Sequence, residues 1–197
     1  TEKHAFLLQV RLLDTKTQRL VHALDGDNHD IFIHVDAKSG AIDQELVRQA
    51  VASAKIYFVP RIAVSWAAYS QVEAELSLLS AATEQDQYHY YHLLSESDYP
   101  VKNMADIDAF FHGRDEEFVE FENVDLQNSI NRIKYYYPLQ ERLGKRHGFP
   151  WAMQKLLLIG ERIVRIDRLR QQTAFEHIGK GANWFSITDD FARYIVA

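Results

Sequence analysis

Cysteine is absent from the 197 residues, so neither a disulfide framework nor a thiolate metal site can form, and a reducing cytoplasm is the expected setting. Long hydrophobic runs are missing too. Stretches such as Leu156-Leu-Leu-Ile159 fall far short of the ~20 apolar residues that cross a bilayer, and no basic-plus-apolar signal segment opens the sequence, so a soluble chain is expected. Glycine is absent from Val10-Arg-Leu-Leu-Asp14, just after the first apolar run, which removes the Gly-rich phosphate loop a nucleotidyltransferase would carry there. Repeats, low-complexity tracts and Ser/Gly linkers are lacking as well. The net charge of −6 argues against a general nucleic-acid binder.

What is present is an apolar fraction of 47% with 25% charged residues, the composition of one globular domain with a sizeable core. Its charge is unevenly spread. Ten Lys/Arg against three Asp/Glu lie between Asn131 and Arg170, about +7, which leaves about −13 for the rest.

Short apolar runs alternate with helix-spaced segments. Ala5–Val10, Ile31–Val35, Lys55–Val59 and Tyr88–Leu94 read as strands; Thr15–Leu24, Ile42–Ala54 and a segment capped by Ser70 read as helices. Asp106–Phe111 follows as a helix and Glu117–Phe121 as a strand with Phe118/Glu120 against Val119/Phe121. Asn183–Thr188 is a further strand, and Asp189–Val196 a helix that reaches the last residue, so more chain is expected past Ala197. Alternation of this kind predicts an α/β sandwich with a mostly parallel central sheet. The stretch from Pro138 to Gln172, basic and punctuated by Gly144, Gly148 and Pro150, is expected to be a helical insertion in a single domain over residues 1–197, with Glu161 and Arg165 as an i,i+4 pair.

Ligands of open parallel sheets bind beyond the carboxyl ends of the strands, where Asp36 stands. Its carboxylate suits a ribose or base, and equally a turn within Asp36-Ala-Lys-Ser-Gly40. Trp66, four residues before Ser70, has an indole that can stack on a base or fill a core. Asp98, in Ser95-Glu-Ser-Asp-Tyr-Pro100, suits ligand contact and turn capping alike. Two Asp-x-Asp strings, the pattern that holds a divalent cation on a diphosphate, occur at Asp25-Gly-Asp27 and Asp106-Ile-Asp108. The first falls in a turn on the wrong side of the sheet and the second on a helix where i and i+2 diverge, so neither is expected to bind metal. The histidines show no paired ligand spacing.

Taken in order, Ile31-Phe-Ile-His-Val-Asp-Ala-Lys-Ser39, Ser65-Trp-Ala-Ala-Tyr-Ser-Gln-Val-Glu-Ala-Glu75 and Ser95-Glu-Ser-Asp-Tyr-Pro100 resemble the core-2/I-branching N-acetylglucosaminyltransferase family, over nearly the whole chain. The resemblance implies a GT-A-like nucleotide-sugar-binding fold and an inverting, metal-independent glycosyltransferase. It would move N-acetylglucosamine or another hexose from a UDP-sugar to an oligosaccharide or lipid-linked glycan. Residue by residue it implies donor contacts at Gln9, Val10, Asp36, Trp66, Ser95 and Asp98, and acceptor contacts at Glu120, Arg132 and Trp184, the last within Lys180-Gly-Ala-Asn-Trp-Phe-Ser186. Gln9 replaces the family's usual valine, and Glu96 a usual glycine, so that either the loop path differs or Glu96 points to solvent. Glu120 and Glu122 also fit the outward face of an edge strand.

No cofactor is implied. The family's catalytic base, a glutamate in a Pro-Asp-Glu string, and its basic diphosphate clamp would lie beyond Ala197. Relatives in animals are lumenal and cysteine-bearing, so a bacterial, cytoplasmic member is expected. The basic stretch Arg132–Arg170 reads as a solvated face or as a contact with an anionic membrane surface, at the membrane's inner face. A non-catalytic nucleotide-sugar or carbohydrate-binding module is the alternative.

Overall fold

The computed structural model describes residues 2–121, 130, 133–144, 148–171 and 179–197. The chain forms two compact units: a sheet unit of Thr1–Val64, Val72–Val119 and Asn183–Ala197, and a helical unit of Ser65–Gln71 and Glu120–Ala182.

In the sheet unit, β1 (His4–Val10), α1 (Thr15–Ala23), β2 (His29–Val35), α2 (Glu45–Arg48), β3 (Lys55–Phe58), α3 (Tyr69–Gln85, its first turn counted with the helical unit) and β4 (Tyr90–Ser95) alternate. After α4 (Met104–Phe111) come β5 (Phe118–Val119) and, late in the chain, β6 (Phe185–Thr188) and α7 (Asp189–Val196); α5 and α6 belong to the helical unit. The sheet order is β3-β2-β1-β4-β6-β5. The first four strands are parallel, and β6 runs antiparallel to both β4 and β5. This is the expected α/β sandwich with a mostly parallel sheet.

All seven residues of β2 are buried, as an apolar strand covered on both faces should be. Alternation divides the core. Ala5, Leu7, Phe32 and Leu93 pack with Leu78, Leu79 and Ala82 of α3. Phe6, Leu8, Val10, Ile31, Ile33 and Val35 pack with Leu20, Val21 and Leu24 at and after α1 and with Val47 of α2. Chain order reverses at β1: β2 lies on one side and β4 on the other, so the crevice beyond the ends of β1 and β4 is the topological switch point.

Some expected elements differ. The Ile42–Ala54 helix shrinks to Glu45–Arg48, because the Asp25 carboxylate takes the amides of Ala52, Ser53 and Ala54 at 2.7, 3.0 and 2.8 Å, an arrangement incompatible with continued helix. The Glu117–Phe121 strand is reduced to Phe118–Val119, since the Glu117 carboxylate turns to the amide and hydroxyl of Thr188. Ser70 lies inside the first turn of α3, not at its cap.

The helical unit contains α5 (Gln140–Leu143), α6 (Phe149–Ile163) and a 3-10 turn at Arg168–Gln171. Gly148, at φ 123°, precedes α6, and Pro150 sits in its first turn, where a missing N–H leaves no intrahelical bond unmade. The expected Glu161–Arg165 pair does not form: α6 ends at Ile163, Arg165 turns left-handed at φ 58°, and Glu161 accepts the Tyr136 amide at 2.9 Å.

Candidate functional site

The turn after β2 is heavily braced. The Asp36 amide donates to the Val10 carbonyl at 3.0 Å, tying the ends of β1 and β2 together. Asp36 Oδ1 accepts the amides of Lys38 at 2.9 Å and Val64 at 3.2 Å, so the turn role is realised; Oδ2 takes no part in these bonds. Arg61 locks the loop, donating to the carbonyls of Val35, Asp36 and Gly40 and to the Ser39 hydroxyl. His34 Nε2 accepts the Ile62 amide at 2.9 Å, and burial lowers the basicity of this ring. Nothing local in the sequence marks Arg61 as the brace.

At the end of β4, Asp98 Oδ2 accepts the Ser95 amide at 2.7 Å and the Ser95 hydroxyl at 2.8 Å, which folds Ser95–Asp98 into a tight turn. Glu96 does not point to solvent. Its Oε2 accepts the amides of Arg11 at 2.5 Å and Leu12 at 3.3 Å, joining the loops that follow β4 and β1. Where the resemblance has glycine, this chain has a strut across the switch point.

Two cavities meet at that turn. One, of about 340 Å³, is lined by Asp98, Tyr99, Trp184, Phe6, His92 and Phe118 among others. The second, of about 590 Å³, is lined by Arg11, Asp14, Lys16, Arg19, Glu96, Ser97, Asp98 and Tyr99. Both volumes suit a small ligand, and aromatic faces beside a carboxylate suit a sugar. The structure thus unites Asp98 and Trp184, predicted for donor and acceptor, in one cavity. Gln9, Val10, Ser95 and Asp36 line neither. Gln9 is in register with His34 and Ser95, and Val10 is 2% exposed in the core, with only its backbone at the strand end.

Trp66 belongs to the helical unit and is 58% exposed, so it does not fill a core. Its loop is clamped by α5. The Ser65 hydroxyl donates to the Glu141 carbonyl at 2.5 Å, and the Ser70 amide and hydroxyl donate to the Glu141 carboxylate at 2.9 and 2.7 Å. Gln140 Nε2 donates to the Trp66 carbonyl at 2.9 Å, and Ala67 is held left-handed at φ 57°. Such a conformation costs a non-glycine residue roughly 1–2 kcal/mol and persists because these bonds fix it. Glu120 is exposed in the same unit; a Cβ on Gly181 would stand 1.9 Å from its carbonyl oxygen, so the glycine of the Lys180–Ser186 string permits a close backbone approach there. Arg132 lies outside the described residues.

A carboxyl unmarked in the sequence emerges on α3. Burial pushes Glu75 up to about 7 against the opposing effect of its hydrogen bond from Asn183 Nδ2 at 2.7 Å. Asn183 precedes Trp184 of the smaller cavity. Of the Asp-x-Asp residues, Asp25 holds three amides, Asp106 accepts from the Asn103 side chain at 2.9 Å, and Asp108 pairs with His29 Nε2 at 2.9 Å. Among the described residues no group of three or more His, Cys, Asp or Glu is placed to hold a metal ion. Two buried histidines are structural: His92 Nδ1 meets the Ser186 hydroxyl at 2.8 Å and its Nε2 meets His4 Nδ1 at 2.9 Å, in a buried stack with Phe6. Burial holds both rings neutral, with His4 lowered to about 4 and His92 well below its ordinary value.

Xylosyltransferase 2 from Canis lupus familiaris, Pan troglodytes and Homo sapiens is 24% identical in each case over 183 residues, 91% of this chain and 19% of the relative. The chain therefore spans about a fifth of the length of these relatives. The crystal structure of mouse xyloside xylosyltransferase 1 in its apo form aligns with a TM-score of 0.42 at 10% identity, covering 98% of this chain and 69% of that one. The sequence model for Core-2/I-Branching enzyme matches residues 5–197, and the chain belongs to that family of glycosyltransferases.

Proposed function

We propose that the protein is an inverting glycosyltransferase that takes a UDP-sugar donor and a glycan acceptor and needs no metal ion. The observation that carries the reading is the switch point beyond β1 and β4, where the Ser95–Asp98 turn stands and Asp98 shares a cavity with Trp184, with the braced Asp36 turn at the end of β2 on the other side of β1. Asp36 would accept hydrogen bonds from ribose or uracil. Trp184 and Tyr99 would offer aromatic faces to sugar. Metal independence is supported by the engagement of Asp25 with backbone amides and of Asp108 with His29.

The reaction is direct displacement. A base removes the proton of an acceptor hydroxyl as its oxygen bonds to the anomeric carbon, while the bond from that carbon to UDP breaks on the opposite side and its electron pair leaves with the diphosphate. No Pro-Asp-Glu string occurs in the 197 residues, and this reading assigns the base to none of them. A second reading puts the base at Glu75, favoured by its elevated pKa of about 7 and its bond to the residue before Trp184. The relatives' names set a xylosyl donor beside the N-acetylglucosaminyl donor of the resemblance.

Turnover of a panel of UDP-sugars with simple glycan acceptors, by this chain and by its Glu75→Gln variant, tests both. Transfer by the chain that falls 10²-fold or more in Glu75→Gln assigns the base to Glu75. UDP binding without transfer places the base elsewhere, and neither binding nor transfer refutes the glycosyltransferase reading.

A further inference from the structure

The long helix of the helical unit is inverted in polarity. Its inward side carries Gln154, 5% exposed, whose Oε1 accepts the Leu139 amide at 3.1 Å, and Glu161, which accepts the Tyr136 amide. Its outward side carries Phe149, Ala152, Leu156, Ile159 and Ile163. These fall at steps of three and four, a single stripe along the helix. Phe149, Leu156, Ile159 and Ile163 are 77, 68, 52 and 77% exposed, so among the described residues the stripe is uncovered over a length of about 22 Å. Isolated exposed apolar residues are ordinary, but a continuous apolar patch marks an interaction site.

Charge identifies the occupant. Lys155, Arg162 and Arg165 are exposed along or just past the same helix, and Lys155 Nζ stands 3.8 Å over the Trp151 ring. Glu161, the only acid in α6, is engaged inward, and Asp167 is paired with Lys134 at 3.3 Å. The outward side therefore combines apolar residues, tryptophan and cations with no competing carboxylate on the helix. Two copies meeting stripe to stripe would bring like charges together. An anionic lipid surface is complementary in both respects: its acyl boundary accepts the stripe and its phosphates accept the cations. No helix among the described residues is long and apolar enough to cross a membrane, so such a contact would lie in the interface plane.

We propose that α6 is an interfacial helix that docks the protein on an anionic membrane, with Phe149, Leu156, Ile159 and Ile163 in the acyl boundary and Lys155, Arg162 and Arg165 on lipid phosphates. The docking is independent of the base and of the donor sugar.

The full chain is floated with vesicles of phosphatidylcholine containing one-third phosphatidylglycerol, and with pure phosphatidylcholine vesicles. At least tenfold stronger partition onto the anionic vesicles is expected, weakened several-fold by 0.5 M NaCl because surface charge is screened. Leu156→Glu with Ile159→Glu lowers the partition at least tenfold. Because both side chains are exposed, far-ultraviolet circular dichroism is expected to be unchanged. Lys155→Gln with Arg162→Gln keeps the stripe and abolishes the preference for anionic lipid. Absence of binding to the anionic vesicles, or equal partition by wild type and the glutamate variant, overturns the proposal. So does a lipid-free dimer that the glutamate variant dissociates, since a second copy would then cover the stripe.

Discussion

In β2 every residue from His29 to Val35 is buried, whereas in α6 most apolar residues are exposed and the polar Gln154 is buried. Both segments are rich in apolar side chains, but only one uses them for folding. Burial of apolar surface stabilises the sheet unit, and an exposed stripe contributes nothing to it. Apolar content alone therefore does not tell a core from an interaction surface; the partners of the polar residues between the apolar ones do.

Cavity formation breaks this comparison most sharply. Ile33→Ala, in the buried core, is expected to cost about 2–5 kcal/mol in denaturant unfolding, whereas Leu156→Ala on the exposed stripe should stay within about 0.5 kcal/mol. A comparable loss in both would mean that the stripe is packed.

Acid sharpens the contrast next. His4 and His92 are buried and neutral in the sheet unit, with His4 lowered from 6.5 to about 4. In the unfolded chain these rings take up protons below about 6.5, while the folded state resists. Stability contributed at neutral pH is therefore lost as the pH falls from about 6.5 towards 4. A loss of about 1–3 kcal/mol across that window is expected by urea unfolding at stepped pH, reduced in His4→Phe. A stability flat across the window would contradict the neutral stack.

A further effect of this size lies in the helical unit. Glu141→Ala removes the acceptor of the Ser70 amide and hydroxyl, both part-buried, and should cost about 1–3 kcal/mol, with Glu141→Gln costing less because one acceptor oxygen remains. Loosening of the Trp66 loop should appear as increased acrylamide quenching of tryptophan fluorescence in Glu141→Ala, absent in Glu141→Asp only if the shorter side chain still reaches Ser70.

The sheet was legible in the sequence because its strands are short apolar runs separated by helix-spaced segments, and α7 begins and ends where its pattern does. Several of the failures share one physical cause, a polar side chain acting at long range. Asp25 ends α2 from 27 to 29 residues away, Glu96 reaches back 85 residues to Arg11, and Glu141 lies 71 residues from the Ser70 it holds. Asn183 and Glu75 are 108 residues apart. Local periodicity carries no trace of such partners. For the site, the resemblance offered Asp36, Asp98 and Trp184 as candidates but not the bracing roles of Arg61 and Glu96, nor the half-buried carboxyl of Glu75.

The most direct test of the donor-site reading is calorimetric titration of UDP into the chain and into folded Asp36→Ala and Trp66→Ala, each with EDTA and with Mn²⁺. UDP should bind, each substitution should weaken it by roughly 1–3 kcal/mol, and the cation should make little difference. Unchanged affinity in both variants, or binding that appears only with Mn²⁺, would contradict the account.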